Sequence, residues 1–298
     1  MHFFKINPIS FYSFLVAVLI TGTSCNNHAT SGRSLSPSQF PETKLGWQLG
    51  AHAYTFNLFT FSEALDKIDS CGLKYVEAFS RQPIGGGIEG TVDYHMNADT
   101  RAKVLQKLKE KGIVLYAYGV VNPDNEGDWK KLFEFGKAMG IRTFTSEPAE
   151  KDLALISTLC DRYKINLAIH NHPRPKHYWN PDIVLAAIKG KSNRIGACAD
   201  VGHWVRSGLD PVECMKKLEG HILHLHMKDL NYKEGEDDGA DDRDVHWGTG
   251  IANTDGVIRE LRRQDFKGMI SAEYERNWAN NVPDVTASIL YFRKALQK

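Results

Sequence analysis

The chain has 298 residues, of which 42% are hydrophobic and 24% are charged, and its formal net charge is +1. These values are typical of a globular protein with a sizeable core, and they exclude a disordered chain, a collagen-like repeat and a coiled coil. Because 37 basic residues are nearly balanced by 36 acidic ones, the composition also argues against a dedicated nucleic-acid-binding protein, which usually carries a basic excess.

The first 25 residues differ in character from the rest of the chain. Lys5 precedes an apolar run from Phe11 to Ile20, which is about half of the roughly 20 residues that a membrane-spanning helix needs. We therefore predict a secretory signal peptide over residues 1–24 and a flexible tether, rich in Ser, Asn and Pro, over residues 25–45.

Residues Gly22 to Cys25 resemble the lipobox of bacterial lipoproteins, in which the cysteine is acylated. The resemblance implies lipidation of Cys25 and an exported protein that is anchored to a membrane, facing the periplasm or the cell surface. Contact with the membrane is then expected only through this lipid anchor. The alternative is an ordinary signal peptide with a chance cysteine, since glycine replaces the leucine that is usual at the first position of the motif.

Four further cysteines lie in apolar or helical stretches, and no two of them form a C-x-x-C pair. An exported protein could pair some of them, but the sequence does not indicate which. We predict that they are buried free thiols. They are Cys71, Cys160, Cys198 and Cys214.

From about Gly46 onward, apolar runs with β-character alternate with segments of helical periodicity, which predicts repeated β/α units on a parallel sheet. The predicted strands are Gln48–Phe56, Tyr75–Phe79, Val114–Val121, Thr143–Glu147, Asn166–His170, Ile195–Asp200, Ile222–His226 and Met269–Glu273. The predicted helices are Ser62–Ser70, Thr100–Lys111, Asp128–Met139, Lys151–Tyr163, Pro181–Lys189, Pro211–Leu218, Thr254–Gln264 and Pro283–Leu296.

Eight such units in roughly 250 residues have the size and order of a (β/α)8 TIM barrel, an α/β fold. We predict a single barrel domain over residues 46–298. A doubly wound open sheet is the alternative, but it would usually carry a glycine-rich nucleotide-binding turn after its first strand, and His52 to Phe56 has none. Gly85 to Gly87 follow the second strand without opening a clear helix, so we interpret them as a loop rather than a phosphate site.

Ionisable side chains collect at the carboxyl ends of the later predicted strands, which meet in a barrel at the mouth where the active site lies. The fourth, sixth, seventh and eighth strands contribute a Glu, an Asp, a His and a second Glu, respectively. Burying such charges without partners is costly, and four of them in corresponding positions are hard to explain as separate structural groups. This mostly oxygen-based set suits Mn²⁺ best, with Mg²⁺ or Co²⁺ as alternatives, and it lacks the thiolates of a structural zinc site.

The body of the chain, from about Leu45 to Leu296, resembles the xylose-isomerase-like barrel superfamily of sugar isomerases and epimerases. The motifs that carry the resemblance are Glu147-Pro148, Asp200-x-x-His203, His224-x-His226, the Gly248-Thr249-Gly250 turn and Glu273 in the segment Ile-Ser-Ala-Glu-Tyr-Glu.

By position, the resemblance implies that Glu147, Asp200, His226 and Glu273 bind a divalent metal ion, and that Glu147 and Glu273 also form the acid/base pair. Because Glu275 has the same strand parity as Glu273, both side chains face the same side of the strand. Only the family pattern therefore selects Glu273 as the ligand.

Further side chains near the strand ends are candidate contacts of a carbohydrate substrate. The resemblance gives His203 a role in holding a substrate hydroxyl or carbonyl and makes Lys228 a further contact. The other polar candidates could equally brace loops, and at least half of the tryptophans near the mouth (Trp179, Trp204, Trp247 and Trp278) are expected to be packed instead. The candidate contacts are His52, His170, Asn171, His172, His203, Trp204, Lys228 and His246.

Residues 234–244 form a strongly acidic segment, which predicts a solvated flap. Many barrels bind phosphate near this position, so its charge disfavours a phosphorylated substrate. Export points the same way, because sugar phosphates are cytoplasmic intermediates. Arg243 and His246 are candidates for closing over a ligand.

The resemblance implies a metal-dependent sugar isomerase or epimerase that acts on an unphosphorylated sugar or keto-sugar through an enediolate. With a leaving group β to the carbonyl, the same site would be a lyase that cleaves 3-keto-glycosides by elimination.

Two other classes of function remain as alternatives. A DNA-repair enzyme related to apurinic endonucleases would share the barrel, but its additional histidine is missing where the third strand ends, at Ala117 to Val121. A binding protein that has lost catalysis is disfavoured by the complete ligand set. We expect no nucleic-acid partner and leave a homo-oligomer open.

Overall fold

The computed structural model describes residues 40–231 and 243–297. The strands are β1 (Gln48–His52), β2 (Tyr75–Ala78), β3 (Gln82–Gly85), β4 (Ile88–Val92), β5 (Val114–Tyr118), β6 (Thr143–Ser146), β7 (Asn166–His170), β8 (Ile195–Asp200), β9 (Ile222–Met227) and β10 (Met269–Ala272). The α-helices are α1 (Phe61–Ser70), α2 (Ala98–Lys111), α3 (Glu126–Met139), α4 (Leu153–Tyr163), α5 (Pro181–Ile188), α6 (Val201–Arg206), α7 (Pro211–Lys217), α8 (Thr254–Arg263) and α9 (Val282–Ala295).

Eight parallel strands close into a barrel in the order β1, β10, β9, β8, β7, β6, β5 and β2. The strand bodies are buried and the helices cover them, because a parallel sheet is apolar on both faces. The predicted (β/α)8 barrel is therefore confirmed, and each of its eight strands overlaps a predicted strand. All eight carboxyl ends open at the same face, which is called the mouth below.

Helix ends follow local signals in the sequence. The Thr60 hydroxyl accepts a hydrogen bond from the backbone N–H of Glu63, and the Glu63 carboxylate accepts one from the backbone N–H of Thr60, which forms a capping box at the start of α1. Asn180 and Asp210 cap α5 and α7, each directly before a proline. Gly112 ends α2 in the left-handed conformation (φ 61°), which costs glycine little.

One strand is shorter than predicted and two elements were missed. The first predicted strand, Gln48–Phe56, ends at His52, and Ala53–Phe56 form a 3₁₀ helix instead. The predicted loop at Gly85 to Gly87 belongs to an antiparallel hairpin: Gly85 ends β3, Gly86 and Gly87 form the turn to β4, and all three have positive φ. The hairpin was missed because its strands alternate little and contain Gly and Pro. Helix α6 was also missed: it has only six residues and starts directly after β8, where the Asp200 carboxylate accepts the backbone N–H of His203.

The last part of the predicted tether belongs to the barrel. Pro41–Leu45 form a 3₁₀ helix at the amino ends of the strands, and Glu42 is buried there in an ion pair with Arg293 of α9. Lys267, just before β10, donates to the Leu45 carbonyl at 2.8 Å. The predicted signal peptide, Cys25 and the rest of the tether lie outside the described residues, as does most of the acidic segment 234–244.

The four cysteines of the barrel are buried and free, as predicted. Within residues 40–231 and 243–297, the longest helices are too short and too polar to cross a lipid bilayer.

Candidate active site

A cavity of about 350 Å³ opens at the mouth. One side of its wall is aromatic and apolar, and the other is formed by imidazoles and carboxylates. The residues that line it are His52, Tyr54, Phe79, Ser80, Val120, His170, His172, His203, Glu273 and Glu275. A larger depression of about 610 Å³ lies between Asp161 and the 191–194 loop, but it is a wide surface hollow without buried acidic or imidazole groups.

Four buried side chains from four strand ends converge beneath this cavity. They are His170, Asp200, His226 and Glu273, and one potential ligand atom from each lies within 4.8 Å of the others. His226 Nδ1 is 2.9 Å from Glu273 Oε2, 3.2 Å from His170 Nε2 and 3.8 Å from Asp200 Oδ2. Two carboxylates and two imidazoles at these separations can close around one divalent ion after small side-chain movements.

Two oxygens of this group lack hydrogen bonds among the described residues. Asp200 Oδ2 and Glu273 Oε2 are buried without a donor in hydrogen-bonding geometry, although their charges are partly balanced by Lys228, whose Nζ is 3.4 Å and 3.0 Å away. Buried polar atoms are nearly always satisfied, so two such oxygens facing one point are evidence for a cation between them. The residues present therefore fit a divalent metal ion.

Electrostatics keep these acids ionised. Burial alone would raise the pKa of Asp200, but His203 and Lys228 lower it below its usual range. The pKa of Glu273 is likewise held well below its usual value, because Lys228 and His226 outweigh its burial. Burial opposes the charge of Lys228, yet the four carboxylates around it raise its pKa well above the ordinary value; they are Asp200, Glu273, Glu275 and Asp244. Lys228 is therefore an ammonium that offsets charge, and it cannot serve as a base.

The orientation of His226 is set by Glu77 on β2. The fully buried Glu77 carboxylate lies 2.8 Å from His226 Nε2 and 2.8 Å from His224 Nε2, and it accepts bonds from Thr145 Oγ1 and Ser271 Oγ at 2.6 Å and 2.7 Å. This leaves His226 Nδ1 to face the other ligands, in the carboxylate–histidine arrangement typical of metal sites. Burial would raise the pKa of Glu77, but the surrounding imidazoles lower it well below its usual value.

Glu147 lies next to this group rather than within its 4.8 Å circle. Its carboxylate contacts His172 Nδ1 and is 3.6 Å from His170 Nδ1, and these three residues form a second candidate ligand group. Hydrogen bonds to both imidazoles outweigh burial and lower the pKa of Glu147 to about 2. The structure thus brings together three of the four predicted ligands, and it places His170 where the sequence suggested Glu147.

The predicted substrate contacts divide into two sets. His52, His170, His172 and His203 line the cavity, and burial lowers the pKa of His203 well below its usual value, which keeps it neutral. Lys228 lies directly behind the cavity wall.

The remaining predicted contacts lie elsewhere. Asn171 braces two strand ends, because it exchanges hydrogen bonds of 2.9 Å and 2.8 Å with the Asp200 backbone. Trp204, on α6, is 1% exposed and packs in the core. His246 Nε2 donates to the Asp284 carboxylate at 2.8 Å, and His246 does not line the cavity.

Several residues of the site were not anticipated from the sequence. Glu77 lies in the middle of a strand, and an acid in an apolar strand interior was a usable signal that the focus on strand ends overlooked. Tyr54 and Phe79, which form the aromatic wall of the cavity with ring centroids 5.4 Å apart, were also not anticipated. Trp278, which the sequence placed near the mouth, has its ring centroid 5.7 Å from that of Tyr54 and does not line the cavity. Trp247, like Trp204, is buried, so two of the four tryptophans near the mouth are packed.

The described end of the acidic segment reaches the site from outside. Asp244 is buried, its Oδ2 accepts the backbone N–H of Glu275 at 2.8 Å, and its Oδ1 is 3.5 Å from Arg206 Nη2. Glu275 in turn lies 2.8 Å from Lys228 Nζ. Burial, only partly offset by Lys228, raises the pKa of Asp244 to about 7.

Comparison with known proteins gives the same architecture. A family model described as a xylose isomerase-like TIM barrel matches residues 65–295. The chain shares 34% sequence identity with an uncharacterised protein from Parabacteroides distasonis whose crystal structure is known. The two structures align with a TM-score of 0.69, over 84% of this chain and 99% of that one. No curated protein matches the chain significantly.

Two more distant structures share the fold. A D-psicose 3-epimerase, solved in the presence of D-fructose, is 14% identical with a TM-score of 0.63, over 84% of this chain and all (100%) of that one. A probable 3-DHS dehydratase from Bacillus anthracis is 16% identical with a TM-score of 0.62, over 83% of this chain and 98% of that one.

Proposed function

Because the chain belongs to the xylose isomerase-like TIM barrel family, we propose that it is a metal-dependent isomerase or epimerase of an unphosphorylated sugar or keto-sugar. The observation that carries the proposal is the convergence of Asp200, His226 and Glu273, with two buried oxygens lacking hydrogen bonds among the described residues, beneath an open cavity. A similar fold is found in a protein described as a D-psicose 3-epimerase.

Asp200, His226 and Glu273 would hold the ion, with His170 or Glu147 as the fourth ligand. Mn²⁺ suits this donor set best, and Mg²⁺ or Co²⁺ are the alternatives. When bound, the ion would polarise a substrate carbonyl. His170 and Glu147 are 3.6 Å apart, so a small movement would exchange them.

The chain's own carboxylates would move the proton. Glu273 lines the cavity and is ionised, so it is placed to remove a proton from the carbon next to the carbonyl. Glu147 is also ionised, so it would first take up a proton from solvent through its contact with the part-exposed His172 imidazole. It would then deliver that proton to the carbon and complete the isomerisation or epimerisation. Neutral His203 could donate a hydrogen bond to a substrate hydroxyl or carbonyl.

The cavity favours an uncharged substrate. Among the described residues, none of the ten that line it is Lys or Arg, whereas phosphate binding usually relies on such cations or on helix N-termini. The aromatic wall of Tyr54 and Phe79 offers flat surfaces to the C–H faces of a sugar ring. These features support a neutral carbohydrate rather than a sugar phosphate.

Elimination is the second candidate, as in cleavage of a 3-keto-glycoside. It is favoured by the pair of His172 and Glu147, because an imidazole with 39% side-chain exposure beside a carboxylate is suited to protonate a departing alkoxide. A similar fold occurs in a protein described as a probable dehydratase.

Incubation of the purified protein with Mn²⁺ and candidate sugars in D₂O tests both reactions. Epimerisation predicts deuterium at an inverted carbon, whereas elimination predicts an unsaturated keto-sugar and a free aglycone. A protein that binds Mn²⁺ but neither exchanges the proton nor releases an aglycone with any sugar or 3-keto-glycoside would contradict the proposal.

We further propose that the enzyme works outside the cytoplasm, as a lipoprotein anchored through Cys25 on the periplasmic or cell surface. The support is the lipobox-like sequence before Cys25. Metabolic labelling with a radioactive fatty acid should label the wild type and not Cys25→Ser. Equal labelling of the two proteins, or no labelling of either, would exclude the anchor.

A further inference from the structure

We propose that the barrel holds a second metal site, formed by His170, Cys198 and His226, which binds a thiophilic ion such as Zn²⁺ or Cd²⁺ in competition with the ion of the carboxylate site. The inference rests on the proposed function in one respect: the thiol site and the carboxylate site share the imidazoles of His170 and His226. Sites of this kind are defined by donor type, since thiolates prefer soft ions and carboxylates prefer hard ones.

Cys198 lies one layer below the carboxylate site. It precedes Asp200 by two residues on β8, so both side chains point into the barrel and the thiol is about 6.6 Å deeper along the strand. The register pairs Cys198 with His170 on β7 and with His224 on β9. This places a fully buried thiol under the two imidazoles that face the mouth.

The separations fit a metal ion. One ligand atom from each of His170, Cys198 and His226 lies within 4.8 Å of the other two, and all three residues are buried. In a tetrahedral zinc site, bonds of about 2.0–2.3 Å place the ligand atoms roughly 3.4–3.8 Å apart. Side-chain rotations that move the ligand atoms by about an ångström would therefore close the group around an ion.

The two sites exclude each other. Both ligand sets include His226, and its Nε2 lies 2.8 Å from the Glu77 carboxylate, so Nδ1 is the nitrogen left for a metal ion in either set. A single imidazole nitrogen binds one ion at a time. An ion held by Cys198 would thus displace the ion held by Asp200 and Glu273, and the thiol would release its proton to solvent as the sulfur–metal bond forms.

The other cysteines provide matched controls. Within the described residues, Cys198 is the one cysteine grouped with potential metal ligands. Cys160, in α4, is equally buried, free and remote from the mouth. A Cys160→Ser variant therefore alters a thiol of similar burial without altering the proposed site.

A competition titration tests the proposal in the full chain. Mn²⁺ binding is followed by electron paramagnetic resonance while Cd²⁺ is added, and the ultraviolet band of cadmium thiolate is recorded together with it. Wild type and Cys160→Ser should release Mn²⁺ as the thiolate band grows. In Cys198→Ser the thiolate band should disappear. The affinity for Cd²⁺ relative to Mn²⁺ should also fall by at least about 10–100-fold, because loss of an outer-shell partner alone costs that much and a direct ligand contributes more.

Glu273→Gln provides the reciprocal test, since it weakens the carboxylate site and should keep the thiolate band. Mn²⁺ binding without a thiolate band in the wild type would overturn this inference and leave the proposed function intact. A band that persists in Cys198→Ser would also overturn it. If Cys198→Ser does not fold, the wild-type titration alone decides, because displacement of Mn²⁺ without the band contradicts the site.

Discussion

The two ends of the barrel both contain buried carboxylates, but these differ in how fully they are hydrogen-bonded. At the amino end, Glu42 is 2% exposed and accepts three hydrogen bonds from Arg293, of 2.7, 3.1 and 3.3 Å, and Arg293 also donates to the Gly72 carbonyl. At the mouth, Asp200 and Glu273 are also buried, yet each retains an oxygen that accepts no hydrogen bond of regular geometry from the described residues and instead has ion-pair contacts, with Lys228 and His226 in both cases.

Asp229 extends the comparison to the mouth itself. This buried carboxylate accepts bonds from the backbone N–H groups of Leu230, Gly248, Gly250 and Ala252 and from Thr254 Oγ1, and it thereby holds the 248–254 loop. Asp200 accepts one such bond, from His203. The structural carboxylates of Glu42 and Asp229 are therefore satisfied by the chain, whereas Asp200 and Glu273 each keep an oxygen that is left for a ligand.

The largest effect is expected from removing the charge of one site carboxylate. Glu273→Gln should lower turnover by about 10²–10⁴-fold, because a positioned acid or base contributes that much. The protein should remain folded, since Lys228 keeps Asp200 and Glu275 as partners. Steady-state kinetics measures the turnover, and circular dichroism checks that the variant is folded. Full activity in Glu273→Gln would show that Glu273 is not part of the acid/base pair. Glu147→Gln is tested in the same way.

A structural charge should show the opposite behaviour. Glu42→Gln leaves Arg293 without its partner, so the free energy of unfolding should fall by about 3 kcal/mol while turnover per folded molecule is unchanged. Urea unfolding measures this change. Glu126→Gln, which breaks an exposed pair with Lys130, is the control and should cost less than about 0.5 kcal/mol. Equal costs for the two variants would refute the contrast between the ends.

Glu77 tests whether the site depends on its support. Glu77→Gln should weaken Mn²⁺ binding by about 10–100-fold, because the carboxylate orients His226. Ser271→Ala removes one hydrogen bond to Glu77 and keeps the carboxylate, so its effect should be smaller. Calorimetric titration gives both affinities, and an unchanged affinity in Glu77→Gln would mean that His226 does not bind the ion through Nδ1.

Asp244 predicts a pH dependence of stability at the mouth. Its pKa is raised to about 7 in the folded protein, whereas its usual value is 3.8, so between these pH values the folded state binds a proton that the unfolded state has lost. Stability should therefore fall as pH rises through this range, by up to about 1.4 kcal/mol per pH unit. Urea unfolding at pH 5 and 7 should show a smaller fall in Asp244→Asn; an identical fall would assign the dependence to other groups.

The fold was accessible from the sequence because barrel strands carry two independent signals. Apolar runs such as Ile195–Asp200 are bounded by glycine and capping residues, and their alternation with helices leaves few topologies. The hairpin β3–β4 and helix α6 were missed because each is short and its formation depends on tertiary neighbours. Local signals weaken in elements of this length.

The site was accessible only in part. Asp200, His226 and Glu273 stand at strand ends, where topology alone brings them together, but the position of Glu147 depends on the rotamer that His172 and His170 select. Glu77 and Cys198 act from within strands. Cys198 lies near His226 because β8 and β9 are neighbours in the barrel, whereas Glu77 on β2 reaches His226 across the barrel interior. Contacts between residues that lie so far apart in the sequence are not encoded in any local pattern.

The most direct test of the central claim is the stoichiometry of Mn²⁺ binding to the purified full chain, measured by electron paramagnetic resonance. The account predicts one tightly bound equivalent in the wild type and in Glu42→Gln, and at least about tenfold weaker binding in Asp200→Asn. Wild-type protein that binds no Mn²⁺, or an Asp200→Asn variant that binds it as tightly as the wild type, would contradict the claim that the mouth carboxylates await a cation.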